Sequence, residues 1–203
     1  MMDAMEMVKD ERQGRPSASG MQRLFLCPGS WQAEKKCPVD DESEDAALGT
    51  MLHACMEHGT TPENPEDAEA VAWCREMENA LCKKYLGEEI RYALVWRESR
   101  VFERVDRLFS GKPDMVAVRD FKALVVDYKF GRLPVAAAEC NLQLSALAVL
   151  VMDMFDEGDI DEVFVCILQP YASRKEPAVC RYTRESVEQA RAFFRACIEQ
   201  AQD

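Results

Sequence analysis

Apolar and polar positions keep a helical rhythm up to residue 87, turn to a strand rhythm from residue 90, and mix the two after residue 131. Residues 1–16, polar, acidic and unpatterned, predict a mobile tail ahead of a single domain over 17–203. SASGMQRLFLCPGSW reads as a short Ser-capped helix with Met21, Leu24 and Phe25 on one side, stopped by Pro28 and Gly29. In SEDAALGTMLHACMEHG, Ser43 caps a second helix and Gly59 ends it. In NPEDAEAVAWCREMENALCKKYLG, Asn64 caps a third, Pro65 opens its first turn, and Lys83 and Lys84 suit the negative end of the helix dipole before Gly87.

Farther on, IRYALVWRESRVFER alternates in part, DMVAV and ALVVDYKF are denser in apolar residues, and only RDFK separates the last two. The three predict an antiparallel meander. ALVVDYKF suits a central strand covered on both faces, and the more polar first strand suits a sheet edge. LPVAAAECNLQLSALAVLVMDMF predicts a deeply buried helix, EVFVCILQP a buried strand, PAVCRYT an edge strand, and TRESVEQARAFFRACIEQAQ a closing amphipathic helix capped by Thr183. That order predicts an α/β (α+β) fold, a mixed central sheet flanked by helices.

Composition changes this picture little. With 203 residues and 48% hydrophobic content, the chain can bury one substantial core. No apolar run is long enough to span a bilayer, and MMDAMEMVKDERQGR has neither a signal core nor the acid-poor character of a transit peptide, so a cytoplasmic protein without a membrane partner is expected. Nine cysteines lie scattered without a CxxC pair and read as reduced, mostly buried thiols. Zinc binding by Cys27, Cys37, Cys55 and a histidine is the other reading. The net charge of −12 argues against a general nucleic-acid coat protein. A nuclease stays open, because cations recur at Arg91, Arg97, Arg100, Arg104 and Arg107, and again at Arg174, Lys175, Arg181 and Arg184.

The chemistry sits in GKPDMVAVRDFKALVVDYKFG. Strand alternation points Asp127 and Lys129 to one face and Val126, Tyr128 and Phe130 to the other. A turn within Arg119–Lys122 brings Asp114 toward the same sheet end as Asp127. Two carboxylates that close drive one to keep its proton unless a cation intervenes, and oxygen donors suit Mg²⁺ or Mn²⁺. Lys129 would then orient or deprotonate a water, which is the chemistry of phosphodiester hydrolysis. A salt-bridged Asp127–Lys129 pair at a strand end is the plain alternative.

Pro113-Asp114 followed by Asp127-Tyr128-Lys129 resembles the signature of the PD-(D/E)XK nuclease superfamily. Gly49 and His53 resemble the Gly-x-x-x-His helix of its RecB-like and phage-exonuclease branch, Gln143 lies where that branch carries Gln-x-x-x-Tyr, and SASGMQRLFLCPGSW is similar to the amino-terminal motif of phage and prophage members. The resemblance spans roughly residues 17 to 170. It implies a restriction-endonuclease-like core in which Asp114, Asp127 and the main-chain carbonyl of Tyr128 hold the metal. His53 would be a further ligand or position it, Lys129 would be the catalytic lysine, and Gln143 would orient Lys129 or a DNA phosphate. Glu57, one turn after His53, and Glu98 are candidate extras. The tyrosine expected four residues after Gln143 is Leu147, and Cys166, Cys180 and Cys197 are too dispersed for an iron–sulfur cluster, so none is expected. The expected function is a metal-dependent DNA nuclease of phage or prophage recombination, an exonuclease before an endonuclease, with linear DNA as partner. A phage recombination protein and copies of the chain are left open as further partners. A catalytically silent nuclease-like module, or an RNA nuclease, is the alternative.

Overall fold

The computed structural model describes residues 11–34, 36, 43–172 and 177–202. A five-stranded mixed sheet runs in the order β1 (Leu94–Arg97), β4 (Met115–Arg119), β5 (Lys122–Tyr128), β6 (Glu162–Leu168), β7 (Val179–Thr183). The β5–β6 pair is parallel and the others are antiparallel. Between β1 and β4 the chain makes a two-stranded ribbon, β2 (Val101–Phe102) with β3 (Ser110–Gly111). Helices α1 (Met21–Leu26), α2 (Ser30–Glu34), α3 (Glu44–His58) and α4 (Pro65–Tyr85) precede the sheet; α5 (Leu142–Asp153) crosses from β5 to β6, and α6 (Arg184–Gln200) closes the chain.

Alternation along the strands builds two cores. Val116, Val118, Ala123, Val125, Val163 and Val165 pack against α1, α5 and α6, while Met115, Ala117, Leu124, Val126, Phe164 and Cys166 pack against α3 and α4. The central strand β5 is therefore buried on both faces, as its apolar density requires. At the top of the ribbon, Gly111 leaves room that a side chain would lack: a Cβ there would lie 2.5 Å from Leu150 on α5 and 3.0 Å from Ala18. The caps fall as expected: Ser43 accepts from Ala46 N–H, Asn64 from Glu66 and Asp67, and Thr183 from Ser186, while Gly59 ends α3 at φ +72°.

Two expectations need correction, and one element was missed. The stretch 90–104 is not one strand: a 3₁₀ turn covers Ile90–Tyr92, β1 ends at Arg97, and Glu98 at φ +49° swings the chain into the separate ribbon. The helix expected from Leu133 begins only at Leu142, where Asn141 caps it. Before it come a 3₁₀ turn at Ala138–Cys140 and, earlier, an irregular path on which Gln169 Nε2 donates to the Gly131 and Leu133 carbonyls. Helix α2, around Trp31, was not foreseen.

Of the expected tail, residues 1–10 lie outside the described residues, as do Cys37, Arg174 and Lys175. Pro16 is buried, and its carbonyl accepts from Ser110 N–H. Among the described residues, no helix is long and apolar enough to cross a membrane.

Candidate active site

The hairpin β4–β5 turns through Asp120 and Phe121, both at positive φ, with Arg119 paired to Lys122. That tight turn fixes the register at the other end. Met115 faces Val126, so Asp114 and Asp127 come to the same end of the sheet. Asp114 Oδ2 accepts the main-chain N–H of Tyr128 at 2.5 Å, which ties the two strands beyond their ladder.

Asp127 follows Ala123 and Val125 on the α5 face, and it is 2% exposed. Gln143, in the first turn of α5, donates to Asp127 Oδ1 at 2.5 Å. Lys129 Nζ stands 2.8 Å from Oδ2, close enough for an ion pair. This buried oxygen has that ion pair and no further partner among the described residues.

From the opposite layer, α3 buries Leu52, Cys55 and Met56 and thereby turns His53 to the same sheet end. Its Nδ1 lies 3.4 Å from Asp114 Oδ1 and 3.5 Å from Glu98 Oε1, and its ring meets Tyr128 and Phe130 edge-on. Glu98 reaches this place because the chain breaks there: its N–H donates to the Asp114 carbonyl, and Lys112 Nζ lies 2.7 Å from its Oε2. His53, Glu98 and Asp114 each offer a ligand atom within 4.8 Å of the others. They open onto a cleft of about 560 Å³, which Gly49, Glu57 and Lys112 also line.

The electrostatics follow from these contacts. Burial, then the neighbouring Asp114, push Asp127 up to about 6 against the pull of Lys129. Burial would lower His53, but the hydrogen bonds it gives to the Asp114 and Glu98 carboxylates, with their charge, outweigh it and raise the imidazole to about 9. Burial likewise opposes the shift of Glu98, whose carboxyl is held below its ordinary value by His53 and Lys112. Behind the site, Arg97 donates to both oxygens of Glu78, at 2.8 and 2.9 Å, and the Tyr128 hydroxyl donates to Glu78 as well. That buried trio holds the Tyr128 ring under His53.

The structure thus brings His53, Asp114, Asp127, Tyr128, Lys129 and Gln143 to one end of the sheet. Gln143 contacts Asp127, not Lys129. Glu98 sits within the cluster, whereas Glu57 lines the cleft and its carboxylate lies nearest His58. Leu147 is core. Lys112 went unremarked, although it stands immediately before Pro113-Asp114; Glu78 and Arg97 carried no local signal of their pairing. Among the described residues, the only group of three or more such ligands this close together is the His53 cluster; Cys27 is exposed, and Cys55 is buried on α3.

The donor set of carboxylates and one imidazole fits a divalent cation of the Mg²⁺ or Mn²⁺ kind. Comparison with solved structures finds a protein from Eubacterium rectale described as a candidate exonuclease. It is 10% identical, with a TM-score of 0.54 over 100% of this chain and 87% of that one, a likeness of fold. An alkaline exonuclease from Laribacter hongkongensis is also 10% identical, with a TM-score of 0.39 over 93% of this chain and 92% of that one. No curated protein matches the chain. Residues 15–190 match the model of a family described as "Protein of unknown function (DUF2800)".

Proposed function

The chain belongs to the DUF2800 family, and for it we propose a metal-dependent DNA nuclease of the PD-(D/E)XK superfamily, of the RecB-like, phage-exonuclease branch. One observation carries this reading: Asp127 is buried beside Asp114, with Gln143 on one carboxylate oxygen and Lys129 on the other, and is pushed toward its protonated form despite that lysine. An aspartate needed only as half of a salt bridge gains nothing from a second carboxylate set against it.

Asp114, Asp127, the Tyr128 carbonyl and His53 would hold the cation, with Glu98 joining from the strand break. A bound Mg²⁺ or Mn²⁺ supplies a Lewis acid for the scissile phosphate. Lys129, next to it on the strand, orients the attacking water or takes its proton. Gln143 keeps Asp127 turned toward Lys129, and the Glu78–Arg97–Tyr128 trio keeps the strand end from shifting. Linear DNA ends are the substrate we favour, in phage or prophage recombination.

The test is direct. Linear duplex DNA incubated with the protein and Mn²⁺ or Mg²⁺ should yield acid-soluble nucleotides, and Lys129→Ala should slow release by about 10³-fold with an unchanged melting temperature. Undiminished release by that variant removes the lysine from the mechanism. Nicking of closed circular DNA makes the protein an endonuclease. No release by the native chain, together with no heat on Mn²⁺ titration, returns it to a silent binding module, the reading that its net charge of −12 favours.

A further inference from the structure

Lys129 stands one residue beyond β5, and its N–H donates to the Leu168 carbonyl at 2.9 Å, the last rung between β5 and β6. From there the chain leaves the sheet and returns as α5, whose first turn carries Gln143. The link therefore joins the two side chains that hold Asp127, Lys129 on Oδ2 and Gln143 on Oδ1. Phe130 and Ala138 are buried at its ends, but residues 131–137 are all exposed, Leu133 by 83%. Among the described residues, positions 130–136 make no hydrogen bond from main chain to main chain. Neither burial nor a ladder holds this segment.

A single side chain supplies what the ladder lacks. Gln169 lies one residue past β6, where the register sets it beside Lys129. Its Nε2 donates to the Gly131 and Leu133 carbonyls at 3.3 and 2.5 Å, and its Oε1 accepts the Val135 N–H at 3.4 Å. The bonds fall on alternate residues, so the amide does for an irregular segment what a neighbouring strand does for β5. Arg132 pairs with Glu66 at 2.9 Å and lies over the Tyr171 ring, but both charged side chains are exposed and add little. Ordering the link costs conformational entropy with no apolar burial to offset it. The gain is at its ends, where Lys129 and Gln143 meet Asp127.

We propose that Gln169 is a positioning residue for the reaction put forward above: by fastening the link it fixes Lys129 against Asp127, in the place from which the lysine serves the attacking water. The inference rests on the nuclease reading and adds to it a residue that acts through Lys129.

Gln169→Met keeps the length and loses all three hydrogen bonds. With Mn²⁺ and bis-p-nitrophenyl phosphate, or linear DNA, it should lower kcat about tenfold and leave KM within about twofold, because it misplaces a reacting group without altering how the ester binds. In EDTA, trypsin should nick the variant after Arg132 about tenfold faster than the native chain, at a near-native melting temperature. Combined with Lys129→Ala, Gln169→Met should lower the residual rate no further, whereas a general loosening of the fold would lower both rates alike. Gln169→Ala keeps the test valid should the methionine variant unfold. Native kcat in Gln169→Met, or an equal fall in both backgrounds, overturns the positioning role. Equal nicking of native protein and variant sinks the clamp whatever the chemistry. No hydrolysis of either substrate by native protein sinks the nuclease reading and the positioning role with it, and faster nicking of the variant would then leave the clamp as a feature of the fold alone.

Discussion

Two clusters of buried charge sit at opposite ends of α5 and have opposite fates. At the far end, Arg191 on α6 donates to both oxygens of Asp153, at 2.6 and 2.8 Å, to Glu188 and to Glu103. Glu103, fully buried, also accepts the N–H groups of Val105, Asp106 and Leu108. Burial alone would raise its pKa, yet those donors hold it below the ordinary value. At the near end, Asp127 is as deeply buried but is raised to about 6 by burial and by Asp114, with Gln143 its one side-chain hydrogen-bond donor and Lys129 its ion-pair partner. Burial is common to both; the supply of donors differs and decides the direction. A cluster so rich in donors is scaffold, whereas Asp127, set against a second carboxylate with fewer donors, has the perturbed state that the proposed chemistry would use.

The sharpest way to break this contrast is to neutralise one member of each cluster. Asp127→Asn should lower Mn²⁺-dependent DNA cutting by about 10³-fold or more while the protein stays as stable as the native chain or gains stability. Arg191→Met should do the reverse: it strands Glu103 and Asp153 without their cation and should cost about 3–5 kcal/mol. For a chain of this length that is a fall in melting temperature of roughly 10 °C. The cutting rate per folded molecule should persist. If Asp127→Asn unfolds the protein and Arg191→Met leaves it intact, the two clusters have been assigned the wrong way round.

Proton linkage gives a finer test. Because the folded-state pKa of Asp127 lies above its ordinary 3.8, the folded protein holds a proton that the unfolded chain has lost between pH 3.8 and about 6. The ionised carboxylate therefore destabilises the fold fully above pH 6, by on the order of 2–3 kcal/mol, and not at all below 3.8. In EDTA, the stability of Asp127→Asn minus that of the native protein should be positive at pH 7 and shrink as pH falls toward 4. Added Mn²⁺ should close the gap at pH 7 by stabilising only the native chain. His53 has the opposite sign: its raised pKa contributes stability fully present below pH 6.5 and lost as pH rises through about 9. A gap independent of pH in chemical-denaturation curves would show that Asp127 is satisfied after all.

How much of this was legible in the sequence depends on the range of the interaction. Caps at Ser43, Asn64 and Thr183 are local and readable, and so is the approach of Asp114 to Asp127, because a two-residue turn leaves the register little choice. The break at Glu98 is not: Trp96-Arg97-Glu98-Ser99 contains neither Gly nor Pro, and the left-handed residue is held by its contacts to Asp114 and Lys112. Ala136–Ala138 reads as helix on propensity, yet tertiary hydrogen bonds from Gln169 hold the preceding residues in another path. Gln143 was placed near the site by resemblance alone, and its partner needed three dimensions.

The smallest effect is also the most discriminating about Tyr128, which offers both a hydroxyl and a carbonyl. The hydroxyl donates to Glu78, which Arg97 already holds through two further hydrogen bonds, so Tyr128→Phe leaves the carboxylate paired. The loss is two hydrogen bonds to charged groups, the one given to Glu78 and the one accepted from Arg97, about 2–3 kcal/mol, or roughly 5–10 °C in melting temperature. The main-chain N–H that anchors Asp114 and the carbonyl proposed to face the cation are untouched by the substitution. Cutting should stay within roughly threefold of native, with KM and kcat moving little. A large drop in kcat at a near-native melting temperature would instead assign the hydroxyl, and with it the Glu78–Arg97 pair, a direct part in positioning His53, whose ring rests edge-on against the same tyrosine.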